Sequence, residues 1–256
     1  GGLAVLWLVP AWGKLREGFF KLIGVVIAVQ AILAWFVARA PLLSTDVDAT
    51  GASQGLSATA VVPASARAAV WLLGIFATMT VVWQLLLWLR ARDVSRIVGI
   101  AAVPVGFAAL IAIALDPAAR NVPAIGIVQL FAGAMFAGAA SDGLLLGHWH
   151  LVDRKASREP LARINHFFLI SCALVAITVL LGGTGGGEAR TDLSPLLGVG
   201  VLTVSIAVGL AALCALIAFF IRALIKEDSL QSATGLFYLG VIMGLAAEFA
   251  AKVRFF

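Results

Sequence analysis

Between Phe19 and Phe256 the sequence alternates seven long apolar stretches with short charged segments. In a bilayer there is no water to satisfy backbone polar groups. Long apolar runs flanked by charge therefore fold as spanning helices whose hydrogen bonds close within the segment. The expected fold is all-α: a polytopic integral membrane helical bundle of seven complete transmembrane helices, with an eighth truncated at the N-terminus.

Composition removes the alternatives. Charged residues make up 12% of the chain and apolar residues 62%, whereas a soluble domain carries about 25% charge. No room is left for a sizeable domain outside the membrane, so residues 1–256 read as one transmembrane domain. The net charge of +5 does not point to nucleic acid, because the basic residues sit in loops where they fix topology. Cys172 and Cys214 both fall inside apolar runs and read as small packing residues, with no metal site assigned to them.

The spans are expected near residues 22–38, 68–89, 97–115, 122–150, 164–181, 196–221 and 233–251. The run Gly1–Trp12 is apolar but too short to cross alone; it reads as the tail of a further helix, with a signal-peptide remnant as the alternative. Lys14/Arg16/Lys21, Arg90/Arg92/Arg96, Arg154/Lys155/Arg158/Arg163 and Arg222/Lys226 fall on alternate loops. The positive-inside rule makes that side cytoplasmic, in a plasma (inner) membrane, with both termini external. Lys252 and Arg254 lie on the opposite side and are outnumbered. An even helix count suits two four-helix halves.

Helices in lipid associate through small residues and polar pairs. Ala139, Gly143 and Gly147 form a ridge at i, i+4, i+8, and Ala134 and Gly138 lead at the same spacing into Asp142. Gly240 and Gly244 lead likewise into Glu248. Gln30, Gln84 and Gln129 lie within spans and are expected to hydrogen-bond between helices.

Asp142 sits about eight residues inside its helix, roughly 12 Å deep at ~1.5 Å per residue. An unpaired charge there costs at least ~2.5–3.5 kcal/mol. It is read either as a proton-relay or ligand-binding carboxylate, or as an acid bonded to a neighbouring helix. Glu248 has Lys252 one turn later, the favourable order for a local ion pair.

All three histidines fall in one window: His148 and His150 at the end of the fourth span, His166 at the start of the fifth. Residues two apart on a helix point about 200° apart, so His148 and His150 cannot both face His166. Four assignments compete for the group. It can contact a quinone headgroup with Asp142 handling protons, supply the two axial ligands of one haem b, or hold Zn or Cu, for which His-x-His on a helix is poor geometry. Otherwise these are interfacial histidines beside Trp149. Two haems are excluded for want of ligands. The Gly182–Gly187 run lacks the Lys-Ser/Thr of a phosphate loop and reads as a linker.

About eight helices, no soluble domain, three histidines and one buried acid make the chain similar in outline to haem-free quinone-reactive membrane anchors of the NrfD/PsrC type. The likeness is architectural, with no motif matched residue by residue. It implies a membrane subunit of a respiratory or photosynthetic electron-transfer complex, partnered by the bilayer and by other membrane and soluble redox subunits. A small secondary transporter or channel is one alternative; Pro104 interrupts the third span, but no matching proline follows in a later one. A purely structural or assembly subunit is the other.

Overall fold

The computed structural model describes residues 1–9, 11, 12, 14–44, 63–116, 123–153, 155–182 and 199–252. Among them there are eight helices and no strand: α1 (Gly2–Leu8), α2 (Glu17–Ser44), α3 (Ala64–Trp88), α4 (Arg92–Ala114), α5 (Pro123–Val152), α6 (Glu159–Leu181), α7 (Val199–Lys226) and α8 (Leu230–Lys252). All but α1 are long and apolar enough to cross a membrane. Their outward faces carry large apolar side chains along the whole length, such as Val37, Trp71, Ile97, Phe219 and Phe249. A water-soluble fold would bury such surface. The chain is a polytopic helical membrane protein.

Most helices start or end in the charged residues that flank their apolar run. α2 begins at Glu17, α4 at Arg92 and α6 at Glu159, while α7 ends at Lys226. The hydrocarbon core needs about 20 residues of helix, and the extra turns continue into the headgroup layer. Pro104 does not interrupt its span: α4 runs on through it, as neighbours and local adjustment permit in lipid. The broken helix expected of a transporter is therefore absent at that point. Most of the loop Ala40–Ala66 and of the Gly182–Arg190 segment lies outside the described residues.

The helices group into two compact units, residues 1–23 with 118–256, and residues 24–117. They are unequal, so the expected division into four-helix halves is not what forms. In the first unit α5 packs on α6, α6 on α7, α7 on α8, and α8 closes back on α5. This is a four-helix ring, with α1 laid against α5. In the second unit α3 packs on α4, and Gln84 of α3 lies against Gly24 of α2. Gln30 is exposed on α2 instead of bonding inward.

Small residues set the approach distances. A Cβ on Gly143 would run into the Phe237 ring, and one on Gly147 would lie 2.6 Å from Thr234 Oγ1. Both contacts join α5 to α8. In return Gly240 and Gly244 leave room for Phe168 and Phe136, whose rings would lie 3.2 and 3.3 Å from an added Cβ, closer than an ordinary contact. Phe136 stacks on Phe168 at 5.4 Å between ring centres, and Phe168 meets Phe237 at 6.3 Å. Cys172 and Cys214 are buried free thiols in this core.

Candidate functional site

One end of the first unit is tied together by charge. Lys14 pairs with Glu159, Arg16 with Asp153 at 3.2 Å, Arg163 with Glu159 at 2.7 Å and Arg158 with Asp228 at 2.7 Å. These residues come from the α1–α2, α5–α6 and α7–α8 connections and the start of α6, so those three connections share one face. We refer to it as the basic end. Beneath it Trp7 stacks on Trp12, Trp12 on Phe20, and Phe19 meets Trp149, which is itself fitted against Gly18. Trp7, Trp12 and Trp149 thus pack among aromatic neighbours as well as marking span ends.

An open groove of about 480 Å³ lies at this end, lined by His150 and Leu151 of α5, Arg158, Asp228, and Leu230 and Gln231 of α8. Pockets of about 300–1,000 Å³ with apolar walls and a few convergent polar groups are the usual form of small-molecule sites. His150 is 2% exposed. Its Nδ1 lies 2.7 Å from the Leu146 carbonyl and its Nε2 lies 3.1 Å from the Ser157 carbonyl. A neutral imidazole has one N–H and can donate to only one of them; the imidazolium donates to both.

Asp228 holds its place at a conformational cost. Its φ is 63°, left-handed backbone that favours glycine. The turn closes α7 with the two hydrogen bonds of a Schellman motif, Ser229 N–H to Leu224 O at 2.9 Å and Asp228 N–H to Ile225 O at 3.4 Å, where glycine is the usual residue. The only other non-glycine residue with positive φ among the described residues is Arg90, at the end of α3. Sequence reasoning passed over Asp228 and Gln231 because they sit in a polar turn and helix start, where charge is expected.

The three histidines, close in sequence, are divided among separate surroundings. His150 lines the groove, His166 lines a different cavity with Arg222 and Lys226, and His148 is exposed on the outer face of α5. Among the described residues no three His, Cys, Asp or Glu side chains come together to hold a metal. A bis-imidazole haem site does not fit either: His150 and His166 line different cavities, and His166 is exposed beside two cations.

Asp142 is 1% exposed and faces α1. A Cβ on Gly2 would lie 2.9 Å from its Oδ1, and a Cβ on Gly138 would strike the Gly2 backbone. Its Oδ2 has no hydrogen-bond partner among the described residues. Asp142, Leu146 and His150 follow one another at i, i+4, i+8 on α5, all buried. Glu248 of α8 accepts from Lys252 and lies against Gly133. Next to them Gln129 Nε2 reaches the Ala251 carbonyl at 3.5 Å, linking α5 to α8.

No protein-family model, curated protein or solved structure matches this chain.

Proposed function

We propose that this chain is an integral membrane subunit of an electron-transfer complex, holding a quinone headgroup in the groove beside His150. The basic end faces the cytoplasm of a plasma (inner) membrane, and soluble and membrane redox partners supply the electrons. The observation that carries the reading is the groove itself, where an imidazole, a guanidinium, a carboxylate and an amide converge between two leucines. That mixture suits an amphiphile with a planar polar head and an apolar tail.

Arg158 and Gln231 are the donors for a ring carbonyl oxygen. His150 is the proton donor nearest the headgroup: its Nε2 contact with Ser157 is the longer of its two and the one a ligand replaces. Asp142, two turns deeper on the same side of α5, is the second proton-holding group. Reduction of a quinone to a quinol takes two electrons and two protons, which matches one imidazole and one carboxylic acid on one helix.

One observation favours a second reading, a purely structural anchor. Each nitrogen of His150 rests on a backbone carbonyl, as in a residue that staples the end of α5 to the following loop. Retention of a short-chain quinone by the purified chain separates the two. Binding in the wild type that is lost in Gln231→Ala and in His150→Gln supports the quinone site. Absence of binding, or full binding in both variants, assigns the groove to structure.

A further inference from the structure

The second cavity at the basic end has a different chemistry. It measures about 140 Å³ and lies between α6 and α7, lined by Ala162, Asn165 and His166 on one side and Arg222, Ile225 and Lys226 on the other. Liquid water occupies about 30 Å³ per molecule, so the space admits a tetrahedral oxyanion. Arg222 and Lys226 are spaced i, i+4 on α7, where like charges repel. Neither forms an ion pair among the described residues. Of the nearby acids, Glu159 pairs with Lys14 and Arg163 and Asp228 with Arg158, while Glu227, exposed just past the end of α7, does not line the pocket. The facing helix presents an imidazole, not a carboxylate.

At the inner wall Asn165 is 1% exposed and its Nδ2 donates to the Ala218 carbonyl at 2.9 Å, tying α6 to α7. Its Oδ1 is buried without a hydrogen-bond partner among the described residues. Away from the basic end the two helices continue as exposed apolar surface: Ile170, Leu174 and Ile177 on α6 and Phe219 on α7. His166 and Ile170 are one helical turn apart, as are Arg222 and Phe219. A cationic pocket therefore opens directly onto a track for hydrocarbon chains.

We propose that this pocket binds a phosphate group, carried on an anionic membrane phospholipid whose acyl chains lie along that track. Arg222 and Lys226 hold the phosphate oxygens, Arg as a planar fork and Lys as a point charge, with His166 beside them. Asn165 Oδ1 accepts a headgroup hydroxyl. Basic pockets between transmembrane helices are a recurrent form of lipid headgroup site. The apolar track is what favours a lipid over free phosphate. The proposal is independent of the quinone groove, which shares none of its lining residues.

The test uses delipidated full chain in neutral detergent, with phosphatidylglycerol or phosphatidylcholine added and bound lipid counted by native mass spectrometry. Wild type is expected to retain phosphatidylglycerol preferentially. Arg222→Gln with Lys226→Gln is expected to lower that preference roughly twenty-fivefold, about fivefold for each basic residue near the surface. The pair Arg90→Gln with Arg96→Gln, which removes equal charge elsewhere, should leave it unchanged. Equal loss in both double variants would overturn the site in favour of general surface charge, as would no loss in the first. Inorganic phosphate that binds alone and displaces the lipid at millimolar concentration would overturn the lipid source. Lys226→Gln alone, checked for an unchanged melting temperature, gives the same readout if the double variant folds poorly: a fall of about fivefold supports the site and no change overturns it.

Discussion

Arg158 and Asp228 meet at 2.7 Å on opposite loops of the four-helix ring, and Asp228 reaches its partner from left-handed backbone. Both side chains are about half exposed, so the pair contributes at most ~1 kcal/mol. The strained backbone costs a comparable amount. Asp228→Gly should therefore change stability by less than about 1 kcal/mol in either direction, while weakening quinone retention in the groove, because Arg158 loses the carboxylate that holds it there. Thermal unfolding in detergent beside a quinone-binding assay reads both. A variant that unfolds well below wild type would mark Asp228 as a structural clasp.

Arg90 provides the comparison. It occupies the same left-handed position after α3, with Ala91 N–H on Leu86 O at 3.0 Å and its own N–H on Leu87 O at 3.3 Å, but it lines no cavity described above. Arg90→Gly is expected to raise stability by about 1 kcal/mol. Taken together, the two glycine variants separate the cost of the turn from the use made of its side chain.

The α5–α8 contact depends on absent methyl groups. Gly143→Ala would drive a Cβ into the Phe237 ring and is expected to destabilise by about 1–3 kcal/mol, the usual cost of overpacking. Gly209 on α7 has nothing within 4 Å of an added Cβ. There the same substitution should be neutral or gain up to about 1 kcal/mol from helix propensity. Equal effects at both positions, measured by unfolding in mixed detergent, would mean that the helices do not meet along Gly143.

Glu248 is nearly enclosed, its side chain 10% exposed, while Lys252 is 34% exposed. Removing the lysine leaves a carboxylate with no counter-charge against Gly133, so Lys252→Met should cost more than Glu248→Gln. Breaking a fully buried pair costs about 3–5 kcal/mol; exposure of this one places the loss nearer 1–2 kcal/mol. The double variant should recover part of it. A cycle with no coupling would show that the pair is an incidental surface contact.

The helices and the faces on which they pack were legible in the sequence, because hydropathy decides spans and small residues decide close approach. Gly143 and Gly147 on α5, and Gly240 and Gly244 on α8, lie in helix contacts. The sites were harder to read. Proximity along the chain brought His148, His150 and His166 together on paper, but the faces they occupy on α5 and α6 send them to different surroundings. Asp228, Gln231, Arg222 and Lys226 looked like ordinary loop and end charges. Their meaning depends on which loops share a face and which charges are already paired, and both follow from long-range packing that a local pattern does not encode. Gln30 shows the converse: a polar residue in a span looked destined for a helix contact and lies exposed.

Asp142 offers the last test. A buried acid at this depth costs at least ~2.5–3.5 kcal/mol in its charged form unless it is paired or hydrated, and its Oδ2 has no partner among the described residues. Asparagine keeps the shape and the hydrogen-bonding reach but holds no ionisable proton. If Asp142 is kept for proton transfer, Asp142→Asn should melt at or above wild type, since a group retained for function is commonly suboptimal for stability. Quinone-linked turnover in the assembled complex should fall at least about tenfold, within the ~10²–10⁴ range that positioned acid–base groups contribute or just below it. If the acid instead bonds α5 to its neighbours, the order reverses: Asp142→Asn loses more than about 1 kcal/mol and any remaining folded protein turns over normally. The two outcomes are opposite in both measurements, so a single variant assigns Asp142 to proton chemistry or to packing.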